Sequence, residues 1–148
     1  MNNPFAGRTK TVQKYISATY PDGQTEVMFT PMAPFETPEA LDRICGEYNR
    51  VIGNFEVEPL IVIPVFIHDF LCIHLFNDGN GRMSRLLTTL LLYRSGFYVG
   101  KYISLEAKIA GNKELYYESL GKAQAGWYEG TEDVIPFIKY LLGTCLLY

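Results

Sequence analysis

The stretch from Pro59 to Phe76 constrains this chain more than any other: it is almost wholly apolar, yet Pro64, His68, Asp69 and His74 interrupt it. A membrane span needs about 20 mostly apolar residues without such groups, so the rest of the chain must bury this one. From Pro64 onward the pattern is helical, with Phe66, Phe70, Leu71 and Ile73 recurring at helical spacing through about Ile73. Asn77 to Gly81 breaks the run, Leu86 to Tyr93 resumes it, and Ser95-Gly96 stops it. The second of these helices is apolar nearly all round. That predicts a place at the centre of a bundle, covered on every side.

The remaining segments supply the cover. Thr11 to Ala18 and Thr25 to Thr30 are rich in β-branched and aromatic residues, and Pro21-Asp22-Gly23 between them is a turn signal. They predict a β-hairpin over about residues 11–30, with a free edge open to an added strand. Pro31, Pro34 and Pro38 mark an extended connector. Thr37-Pro38-Glu39 then offers an N-cap, a proline at the first helical position and an early acid, opening a helix through about Asn49. Ser104 caps a further helix, Lys113 to Gln124 forms another, and Val134 to Leu147 a last one. The fold class that follows is mainly α, a helical bundle with a small β-hairpin flap. The last helix keeps its apolar spacing to the final residue with no stop signal. The expectation is therefore one domain over residues 1–148, excised from a longer chain.

Composition enters as a set of exclusions. At 148 residues and 48% hydrophobic, the chain is long and apolar enough for a single core, which rules out disorder and disulfide-stapled miniature folds. A formal net charge of -3 gives no basic field for phosphate backbones, so no nucleic acid partner and no membrane are expected. Cys45, Cys72 and Cys145 are odd in number, widely spaced and set among apolar residues, which predicts buried free thiols in a reducing compartment. Met1 to Phe5 lacks the order of a signal peptide, and a cytoplasmic location is expected.

Chemistry concentrates in His74-Leu75-Phe76-Asn77-Asp78-Gly79-Asn80-Gly81-Arg82-Met83-Ser84-Arg85. Two glycines let the backbone turn tightly and approach a ligand, and the unpaired N–H groups of the following helix N-terminus make an anion site suited to phosphate. Arg82 and Arg85 are three apart, share a helix face and can hold further phosphates through permanently charged planar forks. Asp78 beside them suits Mg²⁺, which takes one or two carboxylates together with phosphate oxygens and water. His74, with an ordinary pKa of about 6.5, suits the removal of a hydroxyl proton at neutral pH. Each of these residues taken singly fits a plain helix–helix turn. A structural turn, however, needs neither two arginines on one face nor a histidine beside a glycine nest. A calcium loop fails because Phe76 and Leu87 would fall where carboxylates are required, and no GxxxxGK[ST] string is present.

The segment resembles the signature of the Fic domain family, HxFx[DE]GNGRxxR, matched at His74, Phe76, Asp78, Gly79, Asn80, Gly81, Arg82 and Arg85, with Leu75 where the family usually has proline. The resemblance extends from Val12 to the end of the chain, through Lys101-Tyr102-Ile103-Ser104 and Tyr116-Tyr117. It implies a helical domain that transfers AMP from ATP to a hydroxyl side chain of a target protein. By resemblance His74 is the base, Asp78 holds Mg²⁺, and Gly79, Asn80 and Gly81 stabilise the α-phosphate. Arg82 and Arg85 grip the β- and γ-phosphates, and Phe76 anchors the loop in the core. The family also flanks adenine with a tyrosine and, seven or eight residues on, an asparagine, to which Tyr116 and Gln124 correspond. The hairpin corresponds to the flap that docks an extended target segment by strand addition.

Three alternatives remain open at this point. One is phosphate transfer, in a branch with lysine where Gly81 stands; another is removal of AMP from modified proteins; the third is a helical interaction module that only binds nucleotide. The resemblance also raises the matter of a brake. Many members carry a helix of pattern [ST]xxxE[GN] whose glutamate pairs with the second arginine of the motif. Here Glu129 precedes Gly130, but four residues earlier stands Ala125. Arg85 is therefore expected to meet no internal carboxylate, any inhibitory helix lying outside this chain.

Overall fold

The computed structural model describes residues 8–146, and expectations for residues 1–5 and for Leu147 lie outside it. Among the described residues six α-helices and one antiparallel pair of strands succeed one another. The order is β1 (Ile16–Thr19), β2 (Thr25–Phe29), α1 (Thr37–Gly53), α2 (Pro59–Ile73), α3 (Asn80–Arg94), α4 (Leu105–Gly111), α5 (Lys113–Gln124) and α6 (Ile135–Leu146). The mainly α bundle with a small hairpin is thus the observed fold. No helix among the described residues is long and apolar enough to cross a membrane.

The central helix is α2. It begins at Pro59 rather than Pro64, because proline at the first helical position has the right φ and lacks only an N–H that the helix would leave unpaired anyway. Pro64 is carried inside it. Ile63, Phe66, Ile67, Phe70, Leu71 and Ile73 are all buried, so several sides of α2 are covered, each apolar side chain contributing about 1.5–3 kcal/mol. Helix α3 does not take the central place expected for it. It buries Ser84, Thr88, Leu91 and Leu92, but Leu86 is 67% exposed and Leu90 52%. Helical spacing of apolar residues shows that a helix has a face to bury; it cannot show that every face meets a neighbour. On the buried side of α3 the Thr88 hydroxyl closes its Oγ1–H onto the Ser84 carbonyl at 2.8 Å, so it needs no partner from outside the helix.

Around this pair α1, α5 and α6 complete the core. Phe137 of α6 is 1% exposed and touches both His68 and Tyr116, with ring centroids 6.2 and 6.3 Å away. Helix α1 runs past Asn49 to Gly53. Its N-cap is Glu36 rather than Thr37, because Pro34–Glu36 already forms a 3₁₀ turn and the Thr37 hydroxyl donates back to the Pro34 carbonyl at 2.7 Å. Ser104 does cap α4, its Oγ accepting from the Ala107 N–H at 3.2 Å. Cys72 and Cys145 are buried free thiols and Cys45 is half-buried. Burial pushes the Cys145 thiol up to about 11 and the Cys72 thiol higher still, which leaves both inert at neutral pH.

The hairpin is shorter than the sequence predicts, its first strand starting at Ile16. Gly23 supplies the left-handed turn at φ 84°, and the Asp22 carboxylate accepts from the Gln24 N–H at 3.0 Å. Among the described residues no further strand joins either edge of this two-stranded sheet. The base of the hairpin leans on the loop after α5. Phe29 stacks on Tyr128 at 6.2 Å and meets Trp127 edge-on at 6.3 Å, while the Tyr128 hydroxyl donates to the Thr30 carbonyl. The Trp127 indole N–H in turn donates to the Asp69 carboxylate of α2 at 3.0 Å.

Candidate active site

Helix α2 ends at His74, which adopts φ 54° and ψ 59°. This left-handed conformation costs a residue with a Cβ roughly 1–3 kcal/mol and persists only where the surroundings impose it. Here the segment before β1 does so: Thr9 pairs with Phe76, and the Lys10 N–H donates to the Leu75 carbonyl at 2.9 Å. The imidazole is half-buried, and its Nδ1 is buried without a hydrogen-bond partner among the described residues. Burial first, then the Lys10 charge, hold its pKa below the ordinary histidine value, against a smaller opposing contribution from the Leu71 carbonyl. His74 is therefore neutral at pH 7 and able to accept a proton.

The loop that follows is closed by a side chain. Asn80 is 2% exposed; its Oδ1 accepts from the Phe76 N–H at 2.9 Å and its Nδ2 donates to the Phe76 carbonyl at 2.8 Å. The Asn80 side chain thus positions the loop, and what it leaves for the expected α-phosphate contact is its backbone N–H at the start of α3. Leu75 is buried, and Phe76 is partly buried against Ile73, Leu75 and Ala40, which anchors the loop as expected. Gly79 sits at φ 88°, a conformation that favours glycine, and forms the N-cap of α3 without any side-chain capping bond. The first N–H groups of α3 consequently face the loop unpaired by a cap, and a Cβ on Gly81 would come within 3.3 Å of the Arg85 guanidinium.

Arg82 and Arg85 do lie one turn apart beside this open helix end. Arg82 is exposed and donates to the Asp78 carboxylate at 3.1 Å. Arg85 overturns the expectation of no internal carboxylate: its Nη2 donates to Glu106 at 3.0 Å, from the first turn of α4. Its Nε is buried without a partner among the described residues. Asp78 is a single exposed carboxylate, and no cluster of three or more metal-binding side chains is found among the described residues. That donor set fits Mg²⁺, whose remaining positions go to phosphate oxygens and water, and does not fit a metal held by protein alone.

The fold treats the two residues expected to flank adenine differently from that expectation. Tyr116 is 6% exposed and packs edge-on against Phe137 and Tyr140, so its ring face belongs to the core. Tyr117 beside it is 62% exposed and is the ring open to a base. It stands seven residues before Gln124, so spacing alone carried the signal. Gln124 is buried next to Cys72, with its Nε2 unpartnered among the described residues. Glu106 carried no comparable signal, because it lies 21 residues beyond Arg85.

The comparisons bear on family and fold. The model of the Fic/DOC family matches residues 3–92. A protein adenylyltransferase of Caenorhabditis elegans is 30% identical over 136 residues, covering 92% of this chain but only 22% of the relative. A Fido domain-containing protein of Dictyostelium discoideum is 30% identical over 123 residues, covering 80% of this chain and 81% of the relative. In fold, the chain resembles the crystal structure of a Fic domain containing signaling protein from Bacteroides thetaiotaomicron. The TM-score is 0.67 at 22% identity, over 94% of this chain and 51% of that one. With the motif assembled on one helix junction and a family match over more than half its length, the chain belongs to the Fic/DOC family.

Proposed function

We propose that this domain transfers AMP from ATP to a hydroxyl side chain of a target protein. The observation that carries the reading is a neutral, half-buried imidazole at His74, placed just before an uncapped helix N-terminus that holds two arginines one turn apart. His74 takes the proton of the target hydroxyl as its oxygen attacks the α-phosphorus. The bond to the β-phosphate oxygen breaks, and pyrophosphate leaves. The N–H groups at the start of α3 stabilise charge on the α-phosphate, while Arg82 and Arg85 hold the departing phosphates. Asp78 would hold Mg²⁺, whose charge neutralises the phosphates when bound. Tyr117 offers its ring face to the adenine. A target segment adds as a strand at the hairpin edge, bringing its hydroxyl to His74. The names of the adenylyltransferase relatives support the same activity.

The test is incubation of the protein with a cell extract and either α-labelled or γ-labelled ATP. Label transferred from the α-position alone is the expected result, and label from the γ-position alone would sink the proposal.

Two further outcomes follow. Glu106→Gln removes the carboxylate that holds Arg85. As the Glu106 end of the pair is exposed and such a bond is worth about 0.2–1 kcal/mol, Mg-ATP affinity should rise by up to roughly fivefold with no gain for AMP, as titration calorimetry can show. An equal gain for AMP would mean that Arg85 does not meet the outer phosphates. Ile16→Pro removes an N–H donor at the start of β1, next to an irregularity in the pairing where proline is tolerated. Target labelling should fall while Mg-ATP affinity stays unchanged; full labelling at several such positions excludes docking by strand addition.

A further inference from the structure

Lys10 is 2% exposed, a rare place for an ammonium group, and it lies against the turn that carries His74. Its Nζ donates to the Ile73 carbonyl at 2.7 Å, and its backbone N–H donates to the Leu75 carbonyl at 2.9 Å. His74 is thus gripped on both sides by one residue that precedes it by more than 60 positions. The Ile73 carbonyl belongs to the last turn of α2, where the helix cannot satisfy it and where its dipole favours a cation. A neutral donor would serve the bond alone, as the Met32 N–H does for the neighbouring Cys72 carbonyl at 3.3 Å. The charge therefore exceeds what the helix end requires, and burial opposes it. Desolvation, with Lys14 adding to it, lowers the Lys10 pKa to about 8.

The charges that act on His74 from the described residues are Lys10 and Lys14, both on the segment leading into β1; Asp78, the loop's own carboxylate, is turned to Arg82 at 3.1 Å. We infer that Lys10 is a positioning residue for His74, pinning the left-handed turn that aims the imidazole and setting beside it a fixed positive charge that keeps it unprotonated. The inference rests on the reading of His74 as the base. An imidazole that already carries a second proton has no lone pair for the incoming hydroxyl. A cation held next to it makes that second proton unfavourable, and the bond to Ile73 holds the backbone conformation that residue 74 adopts only under constraint.

The chain has two histidines, so an NMR titration of the ring protons gives two curves, assigned with His74→Gln. Lys10→Gln keeps an N–H donor without the charge, Lys10→Met removes both, and Lys10→Arg keeps both. The His74 midpoint should rise by roughly half to one pH unit in the Gln and Met variants and stay in place in the Arg variant. The acid limb of the transfer rate should move with it. A His74 midpoint unmoved in folded Lys10→Gln and Lys10→Met overturns the inference. If those variants fail to fold, the unmodified protein decides: the His74 ring signals should show a second, smaller inflection near about pH 8 as Lys10 loses its proton, and a flat trace there overturns the inference. A midpoint that moves while the acid limb does not upholds the influence of Lys10 and removes His74 from the role of base.

Discussion

His74→Ala should lower AMP transfer by about 10²–10⁴-fold while changing Mg-ATP affinity by less than about twofold. The imidazole acts on the incoming hydroxyl, whereas the groups arranged for phosphate are the N–H groups of α3, Arg82 and Arg85. Single-turnover transfer and titration calorimetry on the same preparation separate the two. A variant that transfers at the parent rate removes His74 as the base, and one that loses ATP affinity in proportion makes it a binding residue. The pH dependence has a definite sign. Because the folded-state pKa is depressed, the neutral base survives below the ordinary histidine value, and transfer is lost only as pH falls through the lower folded value. The same group makes the fold progressively less stable as pH falls across that window, since the unfolded chain takes up the proton first; the penalty is absent above about pH 6.5 and complete below the lower folded value.

The other large effect belongs to stability. Phe137→Ala should cost about 3–5 kcal/mol, because a ring 1% exposed leaves a cavity between α2, α5 and α6 that none of the three can close without losing its other contacts. Against a total of about 5–15 kcal/mol for a domain, that removes a large part of the margin. Urea unfolding of parent and variant measures it directly. A change under about 1 kcal/mol would mean that the site relaxes into the gap and that Phe137 is not the keystone of these three helices. Tyr116 should then still be found buried, since its own packing also involves Tyr140.

What could be read from the residue order follows the range over which each interaction acts. Ser104 and the bounds of α5 are local features, set by a hydroxyl or amide reaching three residues ahead, and both were legible. The motif was legible because Gly79 and the arginines act within one turn of α3. The bonds from the Asn80 side chain to Phe76 were not legible, because an amide suits a peptide group as well as it suits a ligand, and only the folded loop brings Phe76 within reach. Tyr116 and Tyr117 are adjacent and alike; what separates them is the position of α6, which buries the first ring and leaves the second outside. Glu106 and Lys10 act across 21 and 63 residues, on Arg85 and on the turn at His74, and no pattern read along the chain connects such pairs.

Trp127 is the chain's only tryptophan, and it stands where the base of the hairpin, the loop after α5 and the Asp69 carboxylate of α2 meet. Its indole fluorescence is therefore the emission of one known site rather than an average over several. Any rearrangement of the hairpin that moves Phe29 from its edge, or any loss of the bond to Asp69, changes the polarity around a single fluorophore. Binding of a peptide at the hairpin should thus be visible as a shift in emission wavelength in unlabelled protein, with Trp127→Phe as a silent control.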